Sequence, residues 1–432
     1  MHVLLWAEDS EAELRSELAQ SFPGAPVRLR QPPLLETDFG IVPGQRLPHL
    51  AFARQLMAQA LPVRAESIRA WASQLFETAV AVLPDDQPWS LHVEPHYGAR
   101  TTHRIGARAW HSASRMRSAQ GGLRNVKGER GSQHPHPGGR ASSQALISWD
   151  VWARGDARPP EQRERREGEG SILPQPGPDP RGEVVPDADA GRHRCQLIRE
   201  ALVESLQRKR RQLLRQLRRD PVPFAANDSL VQLLLTAPDT GFISSAVAPM
   251  PLEQRHLVSP FPKGEVAVAS DQTAPSRAFA KLLEAELRLG RAIKAGETCV
   301  DLGASPGSWT YVAVQRGARV IAVDRSPLRE DLMRSRQVEF RPGDAFGFQP
   351  PRPVDWLWCD VIAAPERTME LLREWLRRGW CRRFVVTVKL RDTPGADTLA
   401  LMKRELPPLT RELFITRLCA NKKEVCAFGS AR

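Results

Sequence analysis

The sequence contains no C-x-x-C pair and no apolar run that approaches the length of a membrane span. Its six cysteines are isolated from one another, and several lie inside apolar runs. This pattern favours buried thiols in a reducing compartment over a disulfide framework or a zinc site. The N-terminal segment HVLLWA is short and is followed by Asp9 and Glu11, so we interpret it as a strand and not as a signal peptide. We therefore expect a cytoplasmic protein with no membrane segment and no metal.

Acidic residues are fewer than basic ones: 50 Asp and Glu stand against 62 Lys and Arg, which gives a formal net charge of +12 and a pI of about 9.9. An excess of positive charge favours a polyanionic partner, with nucleic acid ahead of an anionic membrane surface. An arginine-rich genome would give the same composition, and that alternative stays open. The length of 432 residues, of which 41% are hydrophobic, predicts two or three domains.

Residues 97–190 contain no phenylalanine and no sustained hydrophobic period, but they are rich in Gly, Pro, Ser and Arg. Such a segment buries too little apolar surface to offset the entropy cost of ordering it. We predict a mostly disordered insertion, in which ALISWDVWA (145–153) is a candidate for local order. His134 and His136 are separated by proline and are interpreted as solvated histidines, not as a metal site.

The segments on both sides of this insertion predict an α+β module made of residues 1–96 and 191–265. On the N-terminal side, the predicted elements are a strand at HVLLWA, a helix at EAELRSELAQ, helices over 50–82 and a strand at WSLHVEP (89–95). On the C-terminal side, they are one long helix over 195–220 and strands at 230–237 and 241–248. Seven of residues 208–219 are Arg or Lys, which indicates either a solvated helix face or an RNA contact. Residues 260–273 are interpreted as a linker.

Residues 266–432 alternate between strand and helix patterns. The predicted strands are TCVDLG, RVIAVD, QVEF, VDWLWCDV and RFVVTVKL, and the predicted helices are SWTYVAVQRG, residues 365–378 and ADTLALMKREL. Near the C-terminal end, ELFITRLC and KEVCAFG are two strands with no helix between them. The pattern predicts an α/β domain with a doubly wound parallel sheet that is closed by an antiparallel hairpin.

The first predicted strand of this domain runs into the glycine-rich turn DLGASPGSWT (301–310). Ligands of such sheets bind beyond the carboxyl ends of the strands, where glycines let the backbone approach a nucleotide. The spacing is not the G-x-G-x-x-G of nicotinamide dehydrogenases. Asp301 suits an amine-bearing ligand such as the amino acid end of S-adenosylmethionine, and Asp324 at the end of the second strand suits ribose hydroxyls. Asp344 after the third strand indicates either an adenine contact or an ordinary turn aspartate.

Four charged residues lie at positions that an ordinary apolar core would fill with uncharged side chains. Asp360 and Lys389 end the fourth and fifth predicted strands, and Glu424 lies in the final hairpin. Lys281 lies in the apolar helix APSRAFAKLLEAE, where a single lysine is usually a surface residue with a buried stem. Four such residues, each at a strand end or facing the sheet, indicate an active site.

These segments resemble the FtsJ-type ribose 2′-O-methyltransferases, and in particular the RlmM-type enzymes. That family has a turn of the form D-L-G-x-x-P-G-x-[WF] and a Lys-Asp-Lys-Glu tetrad, which this sequence matches in APSRAFAKLLEA, DLGASPGSWT, WCD, VKL and KKEV. The resemblance covers residues 272–432 well, and residues 1–96 and 191–265 only in layout. Ser308 departs from the pattern because a second glycine is usual there, and VKLRDTPGAD replaces the usual continuation after Lys389.

The resemblance implies a Rossmann-like class I methyltransferase domain preceded by a THUMP-like RNA-binding module. It further implies that S-adenosylmethionine serves to methylate a ribose 2′-hydroxyl of a cytidine in large-subunit (23S) ribosomal RNA. The implied catalytic residues are Lys281, Asp360, Lys389 and Glu424. The implied cofactor-binding residues are Asp301, Gly303, Ser305, Pro306, Gly307, Ser308, Trp309, Asp324, Asp344 and Asp360. The departures bear on the RNA target more than on the reaction, and methylation of another RNA, such as tRNA or a different rRNA site, stays open. A catalytically silent RNA-binding protein with this fold is the alternative from a different class.

In-line transfer of a methyl group to an alcohol needs alignment of the reactants and removal of a proton. A lysine can act as the base only if its pKa falls from about 10.4 toward neutrality, and burial and a second nearby cation both lower it. We expect Lys389 to be the base and Lys281 to be that cation, with Asp360 and Glu424 orienting the two ammonium groups.

Overall fold

The structure is a computed structural model that describes residues 1–7, 9–41, 47–97, 188–225, 227–248, 256–390 and 395–432. The predicted insertion at 97–190, with the segment 145–153, His134 and His136, lies outside these residues except at its two ends. The chain divides into two compact units, one made of Met1–Glu94 and Arg194–Arg432 and the other of Pro95–His193. The first unit contains nearly all of the predicted N-terminal module and the whole C-terminal domain.

The N-terminal module contains two four-stranded sheets. Its elements in chain order are β1 His2–Trp6, α1 Glu11–Ser21, β2 Val27–Leu29, β3 Leu34–Thr37, β4 Ala53–Met57, β5 Leu61–Arg64, α2 Ile68–Val82, β6 Trp89–Pro95, α3 Ala188–Lys209, α4 Arg211–Gln216, β7 Ser229–Ala237 and β8 Thr240–Ala246. One sheet has the order β2-β3-β1-β4 and the other the order β5-β8-β7-β6. The predicted strands at 2–7, 89–95, 230–237 and 241–248 and the helix after Ser10 are therefore confirmed.

The prediction of helices over 50–82 is correct only for α2. Residues 53–57 form β4, which pairs antiparallel with β1, and residues 61–64 form β5, which pairs antiparallel with β8. The strands β2 and β3 were not predicted at all. Because β3, β4 and β5 pair with strands that are distant in the chain, local propensity does not reveal them.

The prediction of one long helix over 195–220 is wrong. The helix breaks at Arg210, where φ is −145° and ψ is 61°, and the following short helix ends at Gln216. Beyond the break the chain is held against β6, because Trp89 donates its indole N–H to the carbonyl of Leu213 at 2.8 Å. Tertiary contacts thus override the strong helix propensity of this basic segment.

The C-terminal domain contains one seven-stranded sheet. Its elements in chain order are α5 Phe279–Leu289, β9 Thr298–Leu302, α6 Ser308–Gln315, β10 Arg319–Asp324, α7 Glu330–Met333, β11 Val338–Pro342, β12 Val354–Cys359, α8 Pro365–Arg377, β13 Cys381–Lys389, α9 Gly395–Glu405, β14 Thr410–Thr416 and β15 Glu424–Ala431. The strand order is β11-β10-β9-β12-β13-β15-β14. The strands β9 to β13 are parallel, and β15 pairs antiparallel with β13 and β14. The predicted class I methyltransferase sheet is confirmed.

The central strands of this sheet bury side chains on both faces, as strands of a parallel sheet covered by helices do. In β12, Leu357 and Cys359 belong to the apolar cluster on one face, and Trp356 and Trp358 belong to the cluster on the other. The helix α8 begins at Pro365, a residue suited to the first helical turn. This double packing fixes the carboxyl ends of β9, β12 and β13, where the candidate site lies.

A buried carboxylate joins the N-terminal module to the C-terminal domain. Glu17 on α1 has a side chain that is 3% exposed and accepts hydrogen bonds from the backbone N–H groups of Ala51 and Phe52 at 2.9 and 3.0 Å. Its Oε1 also lies 2.7 Å from Nζ of Lys403 on α9.

No helix in the described parts of the chain is both long and apolar enough to cross a membrane.

Replacement of Glu17 by alanine is expected to lower the free energy of unfolding by about 2–4 kcal/mol, because it leaves the partly buried Lys403 ammonium and two backbone donors without their acceptor. The matched control is Glu13→Ala on the same helix, where the side chain is exposed. That control is expected to change stability by about 0.5 kcal/mol or less. Urea unfolding of both variants measures the difference, and similar values for the two would show that the Glu17 contacts contribute little.

Candidate active site

Four charged side chains meet at the carboxyl edge of the C-terminal sheet. Asp360 follows the last residue of β12, Lys389 is the last residue of β13, and Glu424 is the first residue of β15. Because β13 and β15 run antiparallel with Lys389 directly opposite Glu424, the end of one strand lies beside the start of the other. Lys281 reaches the same place from α5.

Each of the two lysines contacts both carboxylates. Lys281 Nζ lies 3.0 Å from Asp360 Oδ2 and 2.5 Å from Glu424 Oε1. Lys389 Nζ lies 2.6 Å from Asp360 Oδ1 and 2.5 Å from Glu424 Oε2. The four side chains form a closed ring of alternating charge, which we call the tetrad. The structure therefore brings together the four residues predicted as catalytic, and their roles in a reaction stay a prediction.

The tetrad is largely shielded from water, with side-chain exposures from 8% for Glu424 to 19% for Asp360. Burial acts to lower the pKa of Lys281, but the carboxylates of Asp360 and Glu424 outweigh it and hold that pKa above its usual value. Burial likewise acts to raise the pKa of Glu424, but Lys281 and Lys389 outweigh it and hold that pKa below its usual value. Lys281 is therefore a fixed cation at neutral pH, as its predicted role requires.

Two residues of the glycine turn hold the helix that carries Lys281. Trp309 is 3% exposed and donates its indole N–H to the Ala278 carbonyl, at the start of α5, at 2.7 Å. Ser308 is 4% exposed, and its hydroxyl lies 2.6 Å from the Ser276 hydroxyl. The sequence predicted Ser308 and Trp309 as cofactor contacts, whereas the structure gives their side chains a supporting role. Contact of either residue with the cofactor stays a prediction.

The turn itself requires both of its glycines. Gly303 has a φ of +78°, and a Cβ there would lie 2.6 Å from a methyl group of Val361 beside Asp360. Gly307 has a φ of +105° and lies at the start of α6, where a Cβ would clash with Leu332. A side chain at either position is strained by its φ, and at Gly303 it would also press on the backbone of Val361. The turn can therefore lie close against the loop that presents Asp360.

The carboxylate of Asp324 accepts backbone N–H groups from the glycine turn and from the loop after β10. Its Oδ2 accepts the backbone N–H of Ser305 at 3.0 Å, and its Oδ1 accepts the backbone N–H of Ser326 at 2.8 Å. The carbonyl of Pro306 accepts the backbone N–H of Arg329 at 3.0 Å. Asp324, Ser305 and Pro306 thus form one fixed unit at the carboxyl ends of β9 and β10. A ribose contact of Asp324 stays a prediction.

Asp301 is more deeply buried than its predicted role requires. It is 2% exposed, and its Oδ2 accepts both the backbone N–H and the hydroxyl of Thr310, at 3.1 and 2.7 Å. Burial raises the pKa of Asp301 to about 7, although the two Thr310 hydrogen bonds lower it. Asp301 therefore anchors the first turn of α6. Its predicted contact with an amine is not tested by these contacts.

Asp344, for which the sequence predicted an adenine contact, is exposed in the loop that follows β11. Its Oδ1 accepts the backbone N–H of Phe346 at 3.2 Å, and its Oδ2 lies 3.1 Å from Arg367 and 3.4 Å from Arg325. The Phe346 N–H, followed by Arg367 and Arg325, holds the pKa of Asp344 below its usual value. The Arg367 guanidinium also lies 3.9 Å from the centre of the Phe346 ring. No sequence signal indicated Phe346 or Arg367, because neither belongs to the glycine turn or to a strand end.

The family model of FtsJ-like methyltransferases matches residues 274–404. The matched range contains Lys281, the glycine turn, Asp360 and Lys389, and Glu424 lies beyond it. The resemblance found in the sequence is thereby confirmed for this domain.

Among the described residues, no group of three or more His, Cys, Asp or Glu side chains is arranged to hold a metal ion.

Similar curated proteins carry the name ribosomal RNA large subunit methyltransferase M. The one from Thauera aminoaromatica is 36% identical over 198 residues, which cover 43% of this chain and 54% of that protein. The one from Marinomonas sp. is 41% identical over 138 residues, which cover 31% and 39%. The chain spans about half the length of the curated relatives that it matches over the longest stretch.

Solved structures similar to this chain include human methyltransferase-like protein 13 in complex with SAH. It has a TM-score of 0.25 and 14% identity and covers 35% of this chain and 78% of its own. TrmN from Thermus thermophilus has a TM-score of 0.25 and 15% identity, with 99% of each chain covered. At these scores the two likenesses carry no argument about function.

Proposed function

We propose that this chain transfers a methyl group from S-adenosylmethionine to a ribose 2′-hydroxyl of RNA. The observation that carries the proposal is the tetrad at the carboxyl edge of a class I methyltransferase sheet, next to the glycine turn. Ligands of such sheets bind at this edge. The turn, Asp324 and Asp344 offer backbone N–H groups and carboxylate oxygens there, which suit the polar groups of an adenosine-containing cofactor.

The bound cofactor supplies a methyl group on a good leaving group, so the chain must supply alignment and removal of the hydroxyl proton. We assign Lys389 as the group that accepts this proton once its own proton has been lost. Lys281, which stays charged, stabilises the negative charge that develops on the 2′-oxygen. Asp360 and Glu424 bridge the two lysines and hold both nitrogens in place.

The proposed substrate is a cytidine in large-subunit (23S) ribosomal RNA; the names of the curated relatives support the large-subunit RNA, and the cytidine comes from the resemblance in sequence. Another RNA, such as tRNA or a different rRNA site, is the alternative. In this proposal, residues 1–96 and 191–265 form a THUMP-like RNA-binding module, and the protein is cytoplasmic. The net charge of +12 favours a nucleic acid partner for the chain.

Transfer of tritium from labelled S-adenosylmethionine to total rRNA tests the activity, and mapping of the labelled nucleotide tests the substrate. We expect label in large-subunit rRNA at a ribose that resists alkaline cleavage on its 3′ side. Label in tRNA or small-subunit rRNA would support the alternative substrate. No transfer to any RNA, together with normal RNA binding, would support the catalytically silent protein.

Replacement of Asp324 by alanine is expected to weaken cofactor binding about tenfold or more, because it removes the acceptor for the Ser305 N–H and the proposed partner of the cofactor ribose. Titration calorimetry with S-adenosylmethionine measures the change. The matched control is Glu339→Ala on the neighbouring β11, whose side chain is 52% exposed. Equal affinities for the two variants would remove Asp324 from the cofactor site.

A further inference from the structure

A basic site lies at the edge of the C-terminal sheet opposite the tetrad, where the sheet meets the N-terminal module. A cavity of about 840 Å³ opens there. Its volume falls within the range of specific ligand sites. The described residues that line it include one glutamate, Glu412, and seven arginines: Arg54, Arg288, Arg291, Arg382, Arg383, Arg411 and Arg432.

Two of these arginines are partly buried and have a donor without an acceptor. Arg54 and Arg383 have side chains that are only 15% and 25% exposed. The Nε–H group of each is buried and has no acceptor among the described residues. Arg54 also lies 3.6 Å from Glu265, and Arg383 donates to Glu297 at 3.3 Å and lies 5.3 Å from the centre of the Trp356 ring. A buried guanidinium donor without an acceptor is costly, and a bound anion would satisfy it.

Two further arginines extend the positive charge to the mouth of the cavity. Arg291 and Arg411 are exposed, and neither forms a salt bridge with a described residue. Glu412 is the one acidic side chain among the described lining residues, so it offsets only part of the charge of the arginines. Arg288 and Arg382 pair with Glu284 and Asp355 at 2.7 and 2.9 Å, so the uncompensated charge lies mainly with Arg291 and Arg411. The mouth of the cavity is therefore positive and accessible from solvent. Its chemistry fits phosphate groups, which accept several N–H donors from arginine forks.

We propose that this cavity binds backbone phosphates of the substrate RNA at a distance from the reacting nucleotide. The inference rests on the proposed RNA methyltransferase function. Cys381 and Lys389 are the two ends of β13, so the cavity lies about 26 Å from the tetrad along this strand. One RNA segment would occupy the tetrad while another is held between Arg54 on β4 and the arginines of the sheet edge. The affinity for RNA therefore depends on a substrate long enough to reach both the tetrad and the cavity, and not on the target nucleotide alone.

The test replaces Arg291 and Arg411 together by glutamine. Methyl transfer to transcribed large-subunit rRNA is measured as a function of RNA and salt concentration. We expect the KM for RNA to rise about tenfold and the slope of log affinity against log salt to fall by about 2, one for each lost phosphate contact. The kcat and the affinity for S-adenosylmethionine are expected to stay unchanged, because both residues are remote from the tetrad.

The matched control is the double variant Arg334→Gln and Arg404→Gln. Both side chains are exposed, at 74% and 69%, and neither lines the cavity, yet the net charge changes by the same amount. A second control is a short oligonucleotide that contains the target nucleotide but is too short to reach the cavity. The loss of affinity is expected to disappear with that substrate.

The outcomes separate this inference from the proposed function. If the wild-type chain methylates rRNA and the cavity variant has the same KM and salt slope as its control, the inference is wrong and the proposed function stands. If no RNA is methylated, the proposed function fails, and fluorescence anisotropy with the same RNA still tests the cavity. Pyrophosphate that binds the wild type but not the cavity variant, with an unchanged KM for RNA, would identify a site for a small phosphate compound and overturn the inference.

Discussion

Lys389→Arg is expected to abolish methyl transfer, with a loss of about a thousandfold or more, while binding of S-adenosylmethionine survives. Arginine keeps the positive charge and can still pair with Asp360 and Glu424, which lie 2.6 and 2.5 Å from the lysine nitrogen. It cannot take up the hydroxyl proton, because a guanidinium stays protonated at any working pH. The variant therefore separates proton transfer from charge.

The matched control for Lys389→Arg is Lys423→Arg, since Lys423 is an exposed lysine next to Glu424. It is expected to keep nearly all activity. Lys389→Ala is expected to lose as much activity as Lys389→Arg, because both lack a base. Turnover of Lys389→Arg within about tenfold of the wild type would rule out the base role and leave Lys389 as a charge that positions the substrate.

The C-terminal sheet could be predicted from the sequence because its strands are short apolar runs separated by helix patterns. The tetrad could be predicted for the same reason: once β12 and β13 are known to be parallel neighbours, Asp360 and Lys389 must lie at one edge. The hairpin then places Glu424 directly opposite Lys389. In these cases the local pattern and the final packing agree.

The orientation of side chains within the turn could not be predicted in this way. Trp309 lies near the end of the segment DLGASPGSWT, at the second residue of α6, and its indole donates to Ala278 at the start of α5, which comes 31 residues earlier. Asp301 is drawn toward Thr310 and away from solvent. Whether a turn residue faces the ligand or the core depends on the helix that packs against it, and no local sequence pattern contains that information.

The cavity lined by arginines could be predicted from the sequence even less than the side-chain orientations in the turn. Arg54 lies in β4, a strand that the sequence analysis interpreted as helix, and Arg383 and Arg411 lie at the starts of β13 and β14. Each looks like an ordinary surface arginine in the sequence. Only the docking of the N-terminal module on the sheet edge, held in part by Glu17 and Lys403, brings them around one cavity.

Asp301→Asn is expected to remove a large pH dependence from the stability of the protein. The pKa of Asp301 is raised to about 7 in the folded state because its carboxyl is fully buried, against about 3.9 in the unfolded chain. A proton is thus bound more tightly in the folded state, so the stabilising contribution is complete below pH 4 and is lost as the pH rises through 7. A difference of about three pKa units corresponds to about 4 kcal/mol of unfolding free energy.

Asparagine keeps the shape and an oxygen that can accept from Thr310, but it has no charge to bury. The difference in unfolding free energy between Asp301→Asn and the wild type is therefore expected to shift by about 4 kcal/mol in favour of the variant between pH 4 and pH 8. Urea unfolding at several pH values measures it.

The control is Asp331→Asn, because Arg329 holds the pKa of Asp331 below its usual value. The contribution of Asp331 has the opposite sign, since it is present above pH 4 and is lost only as the pH falls further. A difference for Asp301→Asn that stays constant from pH 4 to pH 8 would mean that this carboxyl ionises normally, and that the first turn of α6 holds a charged aspartate without cost.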